Sequence, residues 1–201
     1  GRREWNKRSK EGFENAIKQF EKAIELDPDY ADPYSGLADN YALMVFYRHA
    51  ITEEAMPKAK QYAETAMEKN PKLAKAYTSM GWILHMYEYD WNGAEKNFKR
   101  AIELNPNYAT GNQWYAFLLN NMGKLDEAVK IAERAEQSDP TSLIIKANLA
   151  RYNLLLDNNE VALKYVDKVL AISPTFGPAM GVKYVQLLAA GVDGGIKKYN
   201  E

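Results

Sequence analysis

Two histidines, His49 and His85, and no cysteine leave this 201-residue chain a short inventory for covalent or metal chemistry. A nucleophile needs a base within hydrogen-bond reach, and a structural zinc site needs four converging nitrogen or sulfur donors. No HExxH, GxSxG or Walker-type glycine loop occurs. Carboxylates are plentiful in Glu53-Glu54 and Asp126-Glu127, but they fall where helices are expected to start and the macrodipole favours negative charge. A glycosidase-like acid pair is not indicated. Asp27-Pro28, Asn105-Pro106 and Asp139-Pro140 read as turns, because isolated acids so far apart do not converge on one ion. The glycines of Gly191-Val192-Asp193-Gly194-Gly195 lack both the spacing and the preceding strand of a phosphate loop, and a turn between helices explains them better. The expectation is a protein that is not an enzyme, with no cofactor and no bound metal.

The same prolines reveal the elements. Pro28, Pro71, Pro106, Pro140 and Pro174 each follow an Asp, Asn or Ser, at intervals of 43, 35, 34 and 34 residues. A period near 34 is the mark of a stacked array. Twelve residues before each proline stand Ala16, Ala59, Ala94, Ala128 and Ala162. Five before stand Ala23, Ala66, Ala101, Ala135 and Val169, and eight before stand Phe20, Ala63, Phe98, Ala132 and Val166. Spacings of four and three put these on one helical face, small enough for close approach of a neighbouring helix. Beyond each proline a second apolar pattern begins, with Ala38, Gly81, Ala116 and Ala150 ten residues on; the fifth copy puts Tyr184 there, next to Lys183. Each unit is therefore a pair of antiparallel helices, with the proline ending one helix and directing the turn into the next.

A 34-residue helix–turn–helix bearing these residues resembles the tetratricopeptide repeat, and the match covers almost the whole chain. The strings WNKRSKEGFENAIKQFEKAIELDPDYADPYSGLADNYAL and YDWNGAEKNFKRAIELNPNYATGNQWYAFLLNNMGKLDEA look like a bacterial group of such arrays, attached to signalling or transcription-regulator domains. The resemblance implies an all-α fold, an α-α superhelix, with residues 1–201 forming one array of about five repeats. Its first and last repeats are expected to be incomplete: Glu4 to Ser9 correspond to the end of a helix, and Ile196 to Glu201 to the start of one. The nine-residue insertion within 42–58 reads as an overlong helix pair, with Thr52 capping a helix and Pro57 near its start. The loop carrying Tyr47, Arg48 and His49 is read either as a projecting specificity element or as a tolerated insertion.

The resemblance further implies that the first helix of each pair lines a concave face. The lining positions hold Asp39, Thr78, Trp82, His85, Gln113, Phe117, Asn120, Asn121 and Arg151, with Trp114 and Asn148 beside them. Aromatic anchors next to amide donors and acceptors suit an extended or helical peptide. The alternative reading packs Trp82 and Phe117 against neighbouring helices and leaves the Asn side chains solvated. The Lys, Arg and Asn clamp with which some family members grip a C-terminal carboxylate is not matched, since only Lys75 is suitably basic in the first lining rows. Three functions follow: a non-catalytic scaffold binding a protein or peptide, an effector-sensing regulatory module, or a self-association module that could form a homodimer through its array ends.

Composition narrows the partners. Lys and Arg number 26 against 27 Asp and Glu, a balance that creates no field for direct nucleic-acid binding. The basic run Arg2, Arg3, Lys7, Arg8 and Lys10 reads as a solvated helix face in preference to a phosphate patch. No apolar run is long enough to span a bilayer and the first residues do not resemble a signal peptide, so no membrane is expected and a cytoplasmic location is the default.

Overall fold

The computed structural model describes residues 1–5, 9–189 and 191. Among them the secondary structure is helical, without strands. The helices are α1 (Arg2–Trp5), α2 (Lys10–Leu26), α3 (Ala31–Phe46), α4 (Thr52–Lys69), α5 (Ala74–Ile83), α6 (Trp91–Leu104), α7 (Ala109–Asn121), α8 (Leu125–Ser138), α9 (Leu143–Leu155), α10 (Asn159–Ile172) and α11 (Gly177–Ala189). A π-helical turn, Leu84–Glu88, continues α5. The chain divides into two compact units, Gly1–Trp114 and Tyr115–Glu201.

The proline turns are built alike. Asp27, Asn70, Asn105, Asp139 and Ser173 cap the preceding helices in extended or near-extended backbone, the conformation that a following proline imposes. Each cap carbonyl then accepts from the amide three residues on, at Tyr30, Leu73, Tyr108, Ser142 and Phe176. In the first four turns the side-chain Oδ1 also accepts from the amide two residues on, at 3.0 to 3.2 Å. That second bond explains why Asp or Asn precedes the proline. A further bond recurs that the sequence does not advertise. Six residues beyond the proline, Tyr34 and Tyr77 donate to its carbonyl at 3.0 Å and Asn112 at 2.8 Å, and Lys146 does the same in the fourth turn.

In unit 1, α3 packs on α4 and α5 on α6, while α3 also meets α5 side to side. The expected small-residue face is buried here except at Ala23, which is half-buried: Ala16, Ala59, Ala63, Ala66, Ala94 and Ala101 are inaccessible or nearly so, with Phe13, Phe20 and Phe98 filling the space between helices. Burying one such ring is worth about 1.5–3 kcal/mol. Close approach shows at Gly36, where a Cβ would stand 2.5 Å from the Phe20 ring, and at Gly81, where it would stand 3.0 Å from the Phe98 ring. In unit 2, α9 packs on α10 and α11. Ala147, Val169 and Ala179 form one buried cluster and Ala150, Val166 and Val182 another. Tyr184, at the position where other copies are small, lies on the surface.

The departures from the 34-residue period have local explanations. Helix α3 is 16 residues against 13 in α7, and α4 is 18 against 14 in α8. The turn 47–51 is two residues longer than 122–124. Together these absorb the nine extra residues. The single extra residue of the next interval is taken up by the π-turn, whose wider winding accommodates it without breaking the helix. Two expectations about the insertion need correction. Ile51, not Thr52, occupies the cap position of α4, with no side-chain cap bond. Pro57 is the sixth residue of α4 and lies inside the helix. In the loop, the rings of Tyr47 and His49 each lie 6.0 Å from that of Phe13, while Tyr47 and Arg48 remain exposed. The readings for Ile196 to Glu201, and for all of the glycine segment beyond Gly191, fall outside the described residues.

Candidate functional site

The residues expected to line the concave face divide between the two units. In unit 1 they begin with a polar seam between α3 and α5. Asp39 and Thr78 are inaccessible to solvent. The Ser79 hydroxyl donates to Asp39 Oδ1 at 2.6 Å, and the Thr78 hydroxyl donates to the Ala74 carbonyl at 3.1 Å. The Ser79–Asp39 bond ties two first helices together, while the Thr78 bond closes within α5; both satisfy buried polar groups. Lys75 is committed too, with its ammonium 2.7 and 3.0 Å from the Asp32 carboxylate oxygens.

Trp82 is only 4% exposed. Its ring stands 4.7 Å from that of Trp114, 5.5 Å from Phe46 and 6.2 Å from His85. His85 in turn meets Trp91 edge-on at 6.2 Å. Burial among these rings lowers the His85 pKa to about 4, so the imidazole is neutral near pH 7. His85 is therefore not poised as a general acid or base near neutrality. Gln113, on α7, is half-buried.

In unit 2 the expected residues keep more surface. Phe117, Asn120, Asn148 and Arg151 are half-buried and Asn121 is exposed. The Arg151 guanidinium lies 5.1 Å from the Phe117 ring centroid and 5.4 Å from that of Tyr152, a cation sandwiched by two aromatic faces. Its Nε and Nη2 find no hydrogen-bond acceptor among the described residues. Burial pushes the Tyr152 hydroxyl up to about 12, against the opposing pull of Arg151. Asn120 donates to Asn121 Oδ1 at 3.0 Å. The structure thus brings Phe117 and Arg151 together, as it does Trp82, His85 and Trp114 in the other unit.

Sequence reasoning missed Tyr152, the second face of the sandwich, and Phe46, which closes the tryptophan cluster. Neither occupies a lining position in the repeat register, although the extra length of the first interval was a signal for Phe46. A cleft of about 770 Å³ in unit 1, walled by Met67, Tyr77 and Arg100 among others, contains none of the expected residues. Two of its charges are satisfied locally, Lys99 by Glu95 at 2.8 Å and Arg100 by Glu103 at 3.1 Å. Among the described residues no group of three or more His, Asp or Glu could hold a metal ion, and no helix is long and apolar enough to cross a membrane.

Comparisons with known proteins agree with the architecture. The TPR repeat family matches residues 7–44 and a second tetratricopeptide repeat family matches 85–152, together just over half of the chain. The transcriptional regulator HilA of Salmonella typhimurium is 26% identical over 141 residues, covering 70% of this chain and 25% of that protein. Anaphase-promoting complex subunit 3 of Schizosaccharomyces pombe is 24% identical over 159 residues, covering 79% and 22%. The chain thus spans about a quarter of these curated relatives. Among solved structures, YrrB, described as a TPR protein with an unusual peptide-binding site, is 27% identical with a TM-score of 0.57, covering 85% of this chain and 83% of its own. A thermophilic TPR protein of Thermus thermophilus has a TM-score of 0.67 at 18% identity, covering 84% and 87%, a likeness of fold. These likenesses place the fold in the α-α superhelix class, and the chain belongs to the tetratricopeptide-repeat family.

Proposed function

We propose that this chain is a non-catalytic scaffold that binds a peptide or protein segment along the first helices of its repeats. The observation that carries the reading is the half-buried group in unit 2, where Phe117 and Arg151 present an apolar face and a cation beside Asn120 and Asn148. Such a mixture, an aromatic anchor with amides able to pair a peptide backbone, recurs where proteins bind peptides. In unit 1, Gln113 is the corresponding reachable amide, while Asp39, Thr78, Trp82, His85 and Trp114 are buried. The likeness to YrrB supports a peptide ligand, and the likeness to HilA favours attachment to a regulatory protein as the setting. Charge balance disfavours nucleic acid.

The test is a peptide-display selection on the chain, followed by titration of the enriched peptide against Arg151→Ala and Asn148→Ala. Each variant is expected to weaken binding by about 1–2 kcal/mol with the thermal melt unchanged. Undiminished affinity in both would move the site elsewhere.

A further inference from the structure

Both departures from the repeat period lie in unit 1, and both deliver aromatic side chains to the same edge, where first helices turn into second helices. The longer α3 ends in Phe46, followed by Tyr47. The π-turn runs into Tyr89 and Trp91. Ring contacts connect the two ends: Tyr47 to Phe46 at 5.3 Å, Phe46 to Trp82 at 5.5 Å, Trp82 to His85 and His85 to Trp91 at 6.2 Å. Phe46, Tyr47, Tyr89, Trp91 and, in the turn, Ile51 are all exposed. Regular turns of the same chain carry nothing comparable; residues 122–124 are Met, Gly and Lys, and 156–158 are Leu, Asp and Asn.

Tyr89 is the sharpest case. It adopts left-handed backbone with φ 56°, is 77% exposed, and its side chain makes no hydrogen bond or ring contact among the described residues. A bulky residue in that conformation is strained where glycine would be relaxed. The amides of Tyr89 and Asp90 donate to the Leu84 carbonyl and hold the turn, but no hydrogen bond or ring contact of the side chain favours a tyrosine there.

Charge selects the occupant. Glu53 and Glu54 open α4 beside Ile51, and Glu88 and Asp90 flank Tyr89. Against these four acids stand Arg48 and the Lys60 ammonium, 2.5 Å from Glu88. An exposed aromatic strip bordered by carboxylates repels anionic lipid and complements an apolar segment flanked by Lys or Arg. We propose that this turn edge of unit 1 is a second docking surface, distinct from the first-helix face, for a basic amphipathic segment of a partner protein. The proposal stands whether or not the concave-face reading holds.

The test uses fluorescence anisotropy with a labelled helical peptide of Leu and Lys in amphipathic register, and its Glu-for-Lys counterpart. The Lys peptide is expected to bind, the Glu peptide about tenfold or more weakly, and Tyr89→Gly with Phe46→Ser to weaken the Lys peptide by about tenfold. Arg151→Ala should leave this binding unchanged, which separates it from the first-helix site. Charge reversal by Glu53→Lys with Glu54→Lys, on exposed positions, should shift preference toward the Glu peptide even if the aromatic variant does not fold. Failure of the Lys peptide to bind, equal binding of both peptides, or a preference unmoved by the charge reversal would overturn the proposal. So would vesicles of phosphatidylglycerol or a second copy of the chain taking the strip, shown by their loss of binding, or loss of dimer, in the aromatic variant.

Discussion

The helix turns of unit 1 and unit 2 solve one geometric problem with different residues. In each the chain leaves a first helix through a left-handed residue: Arg48 and Tyr89 in unit 1, Gly123 and Asp157 in unit 2, with φ between 56° and 75°. The following amide bonds back five or six residues in each, His49 to Met44, Asp90 to Leu84, Lys124 to Leu119 and Asn158 to Asn153. Unit 2 uses Gly and Asp, residues that tolerate this conformation. Unit 1 uses an arginine and a tyrosine, side chains that disfavour it, at turns whose neighbours in the chain include Tyr47, His49 and Trp91. The fold needs only the left-handed turn, so the more strained residues are the part of unit 1 that folding does not explain.

The comparison can be broken most forcefully at the core. Phe98→Ala in unit 1 empties a fully buried site and should cost about 3–5 kcal/mol in urea unfolding, whereas Val166→Ala at the same register position in unit 2 removes less volume and should cost less. Equal losses would show that the volume removed does not set the cost at this register position. Gly36→Ala should follow at about 1–3 kcal/mol, because the added methyl meets the Phe20 ring at 2.5 Å. A neutral result in the same assay would show that Phe20 yields.

At the turns the expected effects are smaller and opposite in sign. Tyr89→Gly relieves strain and should raise stability by about 1 kcal/mol, while Gly123→Ala imposes it and should lower stability by a similar amount. Paired thermal melts check both. His85 adds a pH dependence confined to unit 1. Its folded pKa, about 4, lies below the ordinary 6.5, so between these values the unfolded chain takes up a proton that the folded one refuses. Stability should fall as pH drops from 6.5 toward 4, and the component lost in this window should vanish in His85→Gln. Asp32→Ala should have the least effect, below about 1 kcal/mol, since its pair with Lys75 is partly solvated.

What was legible in the sequence is what every repeat must satisfy. An alanine twelve residues before each proline is required wherever a second helix packs close, so five copies state it and the structure buries all five. The Asp or Asn before the proline was equally legible, since its bond to the second amide beyond is local. Features decided once were not. The choice between Ile51 and Thr52 at the start of α4 is a matter of one residue, and the helix begins without any side-chain cap bond, behind an exposed Ile51. Pro57 sits inside α4 because four added residues extended the helix toward its N-terminus. The π-turn was visible only as an interval of 35, which does not say where the extra residue goes. At the candidate site, periodicity named the faces but not their depth. Trp82 and Phe117 share a register position, yet one is buried beside Trp114 and the other is half-open beneath Arg151.

The central claim, that reachable first-helix residues hold a peptide, is tested most directly by titrating a display-selected peptide into the chain and into one variant combining Gln113→Ala, Asn148→Ala and Arg151→Ala. The account predicts that affinity falls at least about tenfold while the melting temperature stays within about 2 °C of the parent. An unchanged affinity in a folded variant would contradict it.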